Sequence, residues 1–116
     1  MAQRCYGSPM GAFTVHDLEK RVSDRAAASP DVSYTRKLLD RGISHCAKKF
    51  GEEAVETILA ATTESRDRMI AETADLIYHL LVLLRARDIS LAEVETALAT
   101  RVSKSGLEEK AERKPD

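Results

Sequence analysis

Residues 43–87 read ISHCAKKFGEEAVETILAATTESRDRMIAETADLIYHLLVLLRAR, and the fold turns on how that stretch divides. Its apolar residues recur at three- and four-residue intervals, the period of a helix and not of a strand. The polar run Thr62-Thr63-Glu64-Ser65 breaks the pattern once, and Ser65 is a good N-cap. The stretch therefore predicts one helix over about 43–61 and a second over about 66–87. Two helices joined by so short a break pack as antiparallel neighbours.

Working outward, Tyr34 to Arg41 reads as a short helix stopped by Gly42. Thr14 with Asp17 makes a capping box for a helix over about 14–28, with Val15, Leu18 and Val22 on one face, ended by Ser29-Pro30-Asp31. Ser90 with Glu93 makes a second capping box, opening a fifth helix to about Ser103. Residues 1–12, interrupted by Gly7, Ser8, Pro9 and Gly11, read as a flexible leader, and residues 105–116 as a charged tail. No stretch alternates with period two for long enough to argue a strand. The expectation is an all-α bundle of about five helices, its domain spanning 13–104.

A chain of 116 residues is one domain's worth of protein, and one with 4 % aromatics and no Trp must build its core from Leu, Ile, Val and Ala. Lys+Arg (18) and Asp+Glu (19) nearly cancel, so nothing draws the whole chain to nucleic acid or an anionic membrane. The longest apolar run, Leu80 to Leu84, is too short to span a bilayer, and residues 1–12 lack the apolar region of a secretory signal. Cys5 and Cys46, far apart and outside any CxxC pair, argue against a disulfide framework or a zinc site and for a reduced cytoplasm.

The chemistry-bearing residues are two acidic clusters. Glu53 and Glu56, three apart, project from one helix face, with Glu52 beside them and Lys49 one turn before Glu53. Glu72 and Asp75 do the same on the next helix, with His79 one turn beyond. Ala47, Phe50, Ala54 and Ile58 take the adjoining face, which puts the acids at the edge of the core. Folding back at 62–65 brings the clusters to similar heights, so that four carboxylates converge. Such a set must take up protons or bind a cation, and hard oxygen ligands suit Mg²⁺ or Mn²⁺ and hence phosphate chemistry. The bland alternative makes Lys48–Glu52 and Lys49–Glu53 ordinary surface pairs. The strongly apolar helix around Glu72 and Asp75 speaks against it.

Gly51, inside a helix, is either tolerated or marks a close approach. His79 either orients Asp75 or packs at the bundle edge, and packing fits better because hard ions rarely recruit imidazole. His16 and His45 read as surface residues, and Cys46 as a small core filler.

The ExxE, break, ExxD arrangement resembles the all-α nucleoside triphosphate pyrophosphatase superfamily. Four longer strings, Ser33–Leu39, Lys49–Glu56, Ala74–Leu84 and Ser105–Lys110, resemble the phosphoribosyl-ATP pyrophosphatases of histidine biosynthesis, over about Phe13 to Arg113. The resemblance implies Mg²⁺-dependent hydrolysis of phosphoribosyl-ATP to phosphoribosyl-AMP and pyrophosphate, by a homodimer. It implies Glu53, Glu56, Glu72 and Asp75 as metal ligands and Glu52 as a further ligand or the base that activates water. It also implies Ser33, Thr35, Lys37, Lys49, Ser105 and Lys110 as substrate-binding residues, with the segment from Ser105 closing over the substrate. Some members carry a fused N-terminal cyclohydrolase domain, and the short stretch before Phe13 implies that the next pathway step resides on another chain.

Leu76–Leu84 is apolar nearly all round, more than a small monomer needs, and burial against a second subunit would explain it. Two rivals remain within reach of the acids. A house-cleaning nucleoside triphosphate pyrophosphatase shares the four-acid motif, while a di-iron bundle would need Glu-x-x-His pairs that Glu53 and Glu72 lack. A non-enzymatic dimerisation module would explain the leucines but not the acids.

Overall fold

The computed structural model describes residues 11–103 and residue 112. The expected leader through residue 10, Cys5, Ser105, Lys110 and nearly all of the tail lie outside the described residues. Among residues 11–103 five helices follow one another: α1 (Val15–Ala26), α2 (Tyr34–Asp40), α3 (Ile43–Thr63), α4 (Arg66–Ala86) and α5 (Leu91–Val102). The described residues contain no strand, so the chain is all-α.

The helix starts follow from side chains that satisfy the first free amides. Thr14 and Ser90 form reciprocal capping boxes with Asp17 and Glu93, and Ser33 and Ser65 accept from the amides of Arg36 and Arg68. Between α2 and α3 the chain turns through a single left-handed residue, Gly42, at φ 95°. A side chain there would be strained, which is why glycine serves both as stop and as start.

The principal packing is α3 on α4. Cys46, near the start of α3, shares the core with Leu81 and Val82, near the end of α4. Thr57, near the end of α3, donates to the carbonyl of Glu72, near the start of α4, at 3.2 Å. The two helices are thus antiparallel, as two residues of connection require. Val22 of α1 and Leu38 of α2 close the core over them, with Leu18, Leu39, Ile77 and Tyr78 packed around.

Two details differ from expectation. The buried stripe of α3 runs through Cys46, Phe50, Glu53, Thr57 and Ala60, while Ala47 is exposed and Ile58 is 61 % exposed. Hydrophobicity at Ala47 and Ile58 misplaced the helix phase by about one residue, or 100°. The run Leu76–Leu84, expected to spill onto a subunit interface, contains no exposed residue. α4 is the central helix, contacted by α1, α2 and α3, while Leu76, Ile77, Tyr78, Leu80, Leu83 and Leu84 along the run are half-buried. Exposed apolar side chains include Val55, Ile58 and Leu59 on α3, and Leu98 and Val102 on α5, a helix with no buried residue.

Candidate metal centre

At core positions of the α3–α4 pair, where the helical period calls for apolar side chains, stand two glutamates. Glu72 is 4 % exposed, and Glu53 lies half-buried on the inner stripe of α3. Glu53, Glu56 and Glu72 each bring a carboxylate oxygen within 4.8 Å of the others. The antiparallel pairing produces this meeting, and Thr57 fixes its height. The Thr57 hydroxyl lies 2.8 Å from the carbonyl oxygen of Glu53 and 3.2 Å from that of Glu72, tying the backbones that carry both acids. Thr57 carries no ionisable group, and only the pairing of two helices reveals it.

Asp75 stands exposed one turn beyond Glu72, outside the three that meet within 4.8 Å. Its charge nonetheless reaches the group. The Glu53 carboxyl is pushed above the ordinary glutamate range, first by burial, then by the charges of Glu56, Asp75 and Glu72. Among the described residues, its Oε1 is buried without a hydrogen-bond partner. A buried acceptor left unsatisfied is costly, and a cation is the partner that an all-oxygen cluster lacks. The donor set fits a hard divalent ion.

One cation of the chain already leans on the cluster. Arg68, one turn before Glu72, donates to its Oε2 and also pairs with Glu64 at 3.3 Å. Sequence spacing offered the signal, an Arg four residues before a Glu, but the acid motif drew the reading past it.

Lys49 and Glu52 face each other at 3.1 Å rather than reaching the cluster. The pairing holds the Glu52 carboxyl below its usual range and the Lys49 ammonium above its own. His79 is 6 % exposed and packs edge-on against Tyr78 and Tyr34, and burial, followed by nearby Lys49, lowers its pKa. It packs within the chain rather than at the bundle edge. Cys46 is buried, with its thiol 3.3 Å from the Leu38 carbonyl. His16 is exposed and pairs with Glu95 at 2.8 Å.

The residues expected to bind substrate on α2 divide. Ser33 is 1 % exposed, capping α2 and donating to the Arg25 carbonyl at 2.7 Å. Thr35 is buried, its hydroxyl 2.6 Å from that of Tyr78. Both stand in the packing between α1, α2 and α4, while Lys37 is exposed. Gly51 has open space where a Cβ would be added, so within one chain no close approach requires it.

Comparison with known proteins follows this geometry closely. The phosphoribosyl-ATP pyrophosphohydrolase family model matches residues 15–102, which span all five helices. The chain is 64 % identical to phosphoribosyl-ATP pyrophosphatase 1 of Bradyrhizobium diazoefficiens, over 90 % of this chain and 99 % of that one. It is 59 % identical to the protein of the same name from Rhodopseudomonas palustris, over 92 % and 100 %. It is 54 % identical to the phosphoribosyl-ATP pyrophosphatase of Nitrobacter winogradskyi over the whole of both chains.

Proposed function

The chain belongs to the phosphoribosyl-ATP pyrophosphohydrolase family, and on that premise we propose that it cleaves phosphoribosyl-ATP into phosphoribosyl-AMP and pyrophosphate in a Mg²⁺-dependent reaction of histidine biosynthesis. The observation that supports the metal dependence is the meeting of Glu53, Glu56 and Glu72 within 4.8 Å, together with a buried Glu53 oxygen that has no hydrogen-bond partner among the described residues. Those three, with Asp75 at the exposed rim, would hold Mg²⁺, and Mn²⁺ as a substitute. The chemistry such an ion would supply there is neutralisation of the triphosphate charge, with the four carboxylates as its ligands.

The chain's own residues supply the rest. Arg68 donates to Oε2 of Glu72 and holds that side chain in place beside Glu53 and Glu56. Lys49, one turn from Glu53, is placed to turn from Glu52 to a phosphate oxygen. Losing that ammonium raises the basicity of Glu52 at the moment substrate is bound. Glu52 then accepts the proton of the attacking water, and hydrolysis falls between the α and β phosphorus atoms.

A second copy of the chain completes the protein in this reading. Val55, Ile58 and Leu59 form one exposed stripe on α3, and Lys48, Gly51, Glu52, Val55 and Glu56 line an open depression beside it. A homodimer covering that stripe would border the site at Glu56. Light scattering at micromolar concentration tests it, with a monomer as the contrary result. No helix of the described residues is long and apolar enough to cross a membrane, and cytoplasmic operation belongs to the same proposal.

Pyrophosphate release from phosphoribosyl-ATP, measured with and without Mg²⁺ beside a panel of ordinary nucleoside triphosphates, tests the function. Selective, Mg²⁺-dependent release is expected. Equal turnover of the panel would make the chain a general house-cleaning enzyme, and release undiminished by chelator would remove the metal.

A further inference from the structure

Tyr34 has no part in the chemistry described so far, yet its setting is unusual. It opens α2 between buried Ser33 and buried Thr35 and is itself 54 % exposed. Burying an aromatic ring is favourable, so an exposed one at a helix start gives up that gain. Here the ring is instead held from behind. Tyr78 stacks on it with centroids 6.5 Å apart and planes inclined by 19°, and His79 meets it edge-on at 6.4 Å. Tyr78 is in turn fixed to Thr35 by the 2.6 Å hydroxyl contact. The residue thereby stays exposed while its ring has Tyr78 and His79 beside it.

Its position relates it to the acids. His79 lies seven residues beyond Glu72 on α4, about 10 Å along the helix axis. Lys49, one turn from Glu53, feels the Tyr34 hydroxyl as well as Glu52. Tyr34 therefore marks the Lys49 end of the carboxylate stripe. A nucleotide whose phosphates meet the carboxylates can lay its sugar across that interval and its base on the ring.

We propose that Tyr34 is the stacking platform for the purine of the substrate, and hence the residue that makes this site prefer a nucleotide to an inorganic polyphosphate. The proposal rests on the nucleotide-hydrolase reading above. Stacking suits the task because a purine offers a broad π-face, and a backed tyrosine loses little conformational freedom on meeting it. Ser33 and Thr35 then serve substrate binding indirectly, as the residues that position the ring between them.

The test compares Tyr34→Leu and Tyr34→Phe in the full chain, following pyrophosphate release from phosphoribosyl-ATP and its inhibition by inorganic tripolyphosphate. Tyr34→Leu should raise KM about tenfold with kcat within about twofold, while Tyr34→Phe stays near the parent. Tripolyphosphate, which has no base, should inhibit all three alike. In the parent, which has no Trp, tyrosine emission should fall with AMP and Mg²⁺ and stay level with tripolyphosphate. An unchanged KM in Tyr34→Leu overturns the platform, as does equal weakening of tripolyphosphate or equal emission responses. A parent that releases no pyrophosphate overturns the enzyme reading as well, so the two failures are distinct.

Discussion

The two ends of the α3–α4 pair are built from opposite materials. Where the start of α3 meets the end of α4, Cys46, Leu81 and Val82 are 1 %, 3 % and 0 % exposed and pack against Val22 and Leu38. Toward the other end, the same inner stripes carry Glu53 and Glu72. One end lowers the free energy of the fold by excluding water, while the other stores like charge at positions that would otherwise be apolar. Stability and activity should therefore answer to different halves of one helix pair.

The largest effect belongs to the charged end. Glu53→Gln should lower turnover at saturating Mg²⁺ by roughly 10³-fold, the scale seen when one preorganised electrostatic group is removed. Its melting temperature without metal should be no lower than the parent's. Steady-state kinetics beside thermal denaturation checks both halves, and a variant that simply unfolds would erase the division. At the apolar end, Leu81→Ala should do the reverse, costing about 3 kcal/mol of stability while turnover per folded molecule holds. Urea denaturation at temperatures where the variant is folded measures it.

The pH dependence has a definite sign. Because Glu53 is raised in the folded chain, its proton is held more tightly there than in the unfolded chain. Its contribution favours folding at low pH and is lost as pH rises through the raised value. The stability gap between Glu53→Gln and the parent, measured without metal, should therefore grow in the variant's favour from about pH 4 to about pH 7. Added Mg²⁺ should close the gap. A smaller effect, about 1 kcal/mol, attends Thr57→Val, which removes the hydroxyl between the Glu53 and Glu72 carbonyls. Mg²⁺ affinity should weaken several-fold along with it, because the register of the two acids loosens.

Much of this was legible in the sequence, and the reasons are local. Thr14, Ser65 and Ser90 act on amides two or three residues away, so the caps and helix ends could be read within about two residues. The spacing of Glu53, Glu56, Glu72 and Asp75 and the shortness of the break at Glu64-Ser65 brought the acids together on paper. What escaped lies between helices. Thr57 matters for a carbonyl fifteen residues away, and the Tyr34–Tyr78–His79 cluster joins α2 to α4. For Leu76–Leu84, periodicity reports how apolar a helix is, not how many neighbours surround it, and three helices of the same chain pack on α4. A subtler signal was available: once Cys46, Phe50, Thr57 and Ala60 define the stripe of α3, Glu53 falls on it, and a charge on a core stripe asks for a partner.

That partner decides the account. Thermal denaturation of the parent and of Glu72→Gln, each with and without saturating Mg²⁺, reads the question directly. The parent should rise on adding the ion, by the amount that about 2.7 kcal/mol produces at a hundred times the dissociation constant, and the variant should scarcely respond. An equal rise in both proteins, or none in either, would mean that the carboxylates meet without a divalent ion among them.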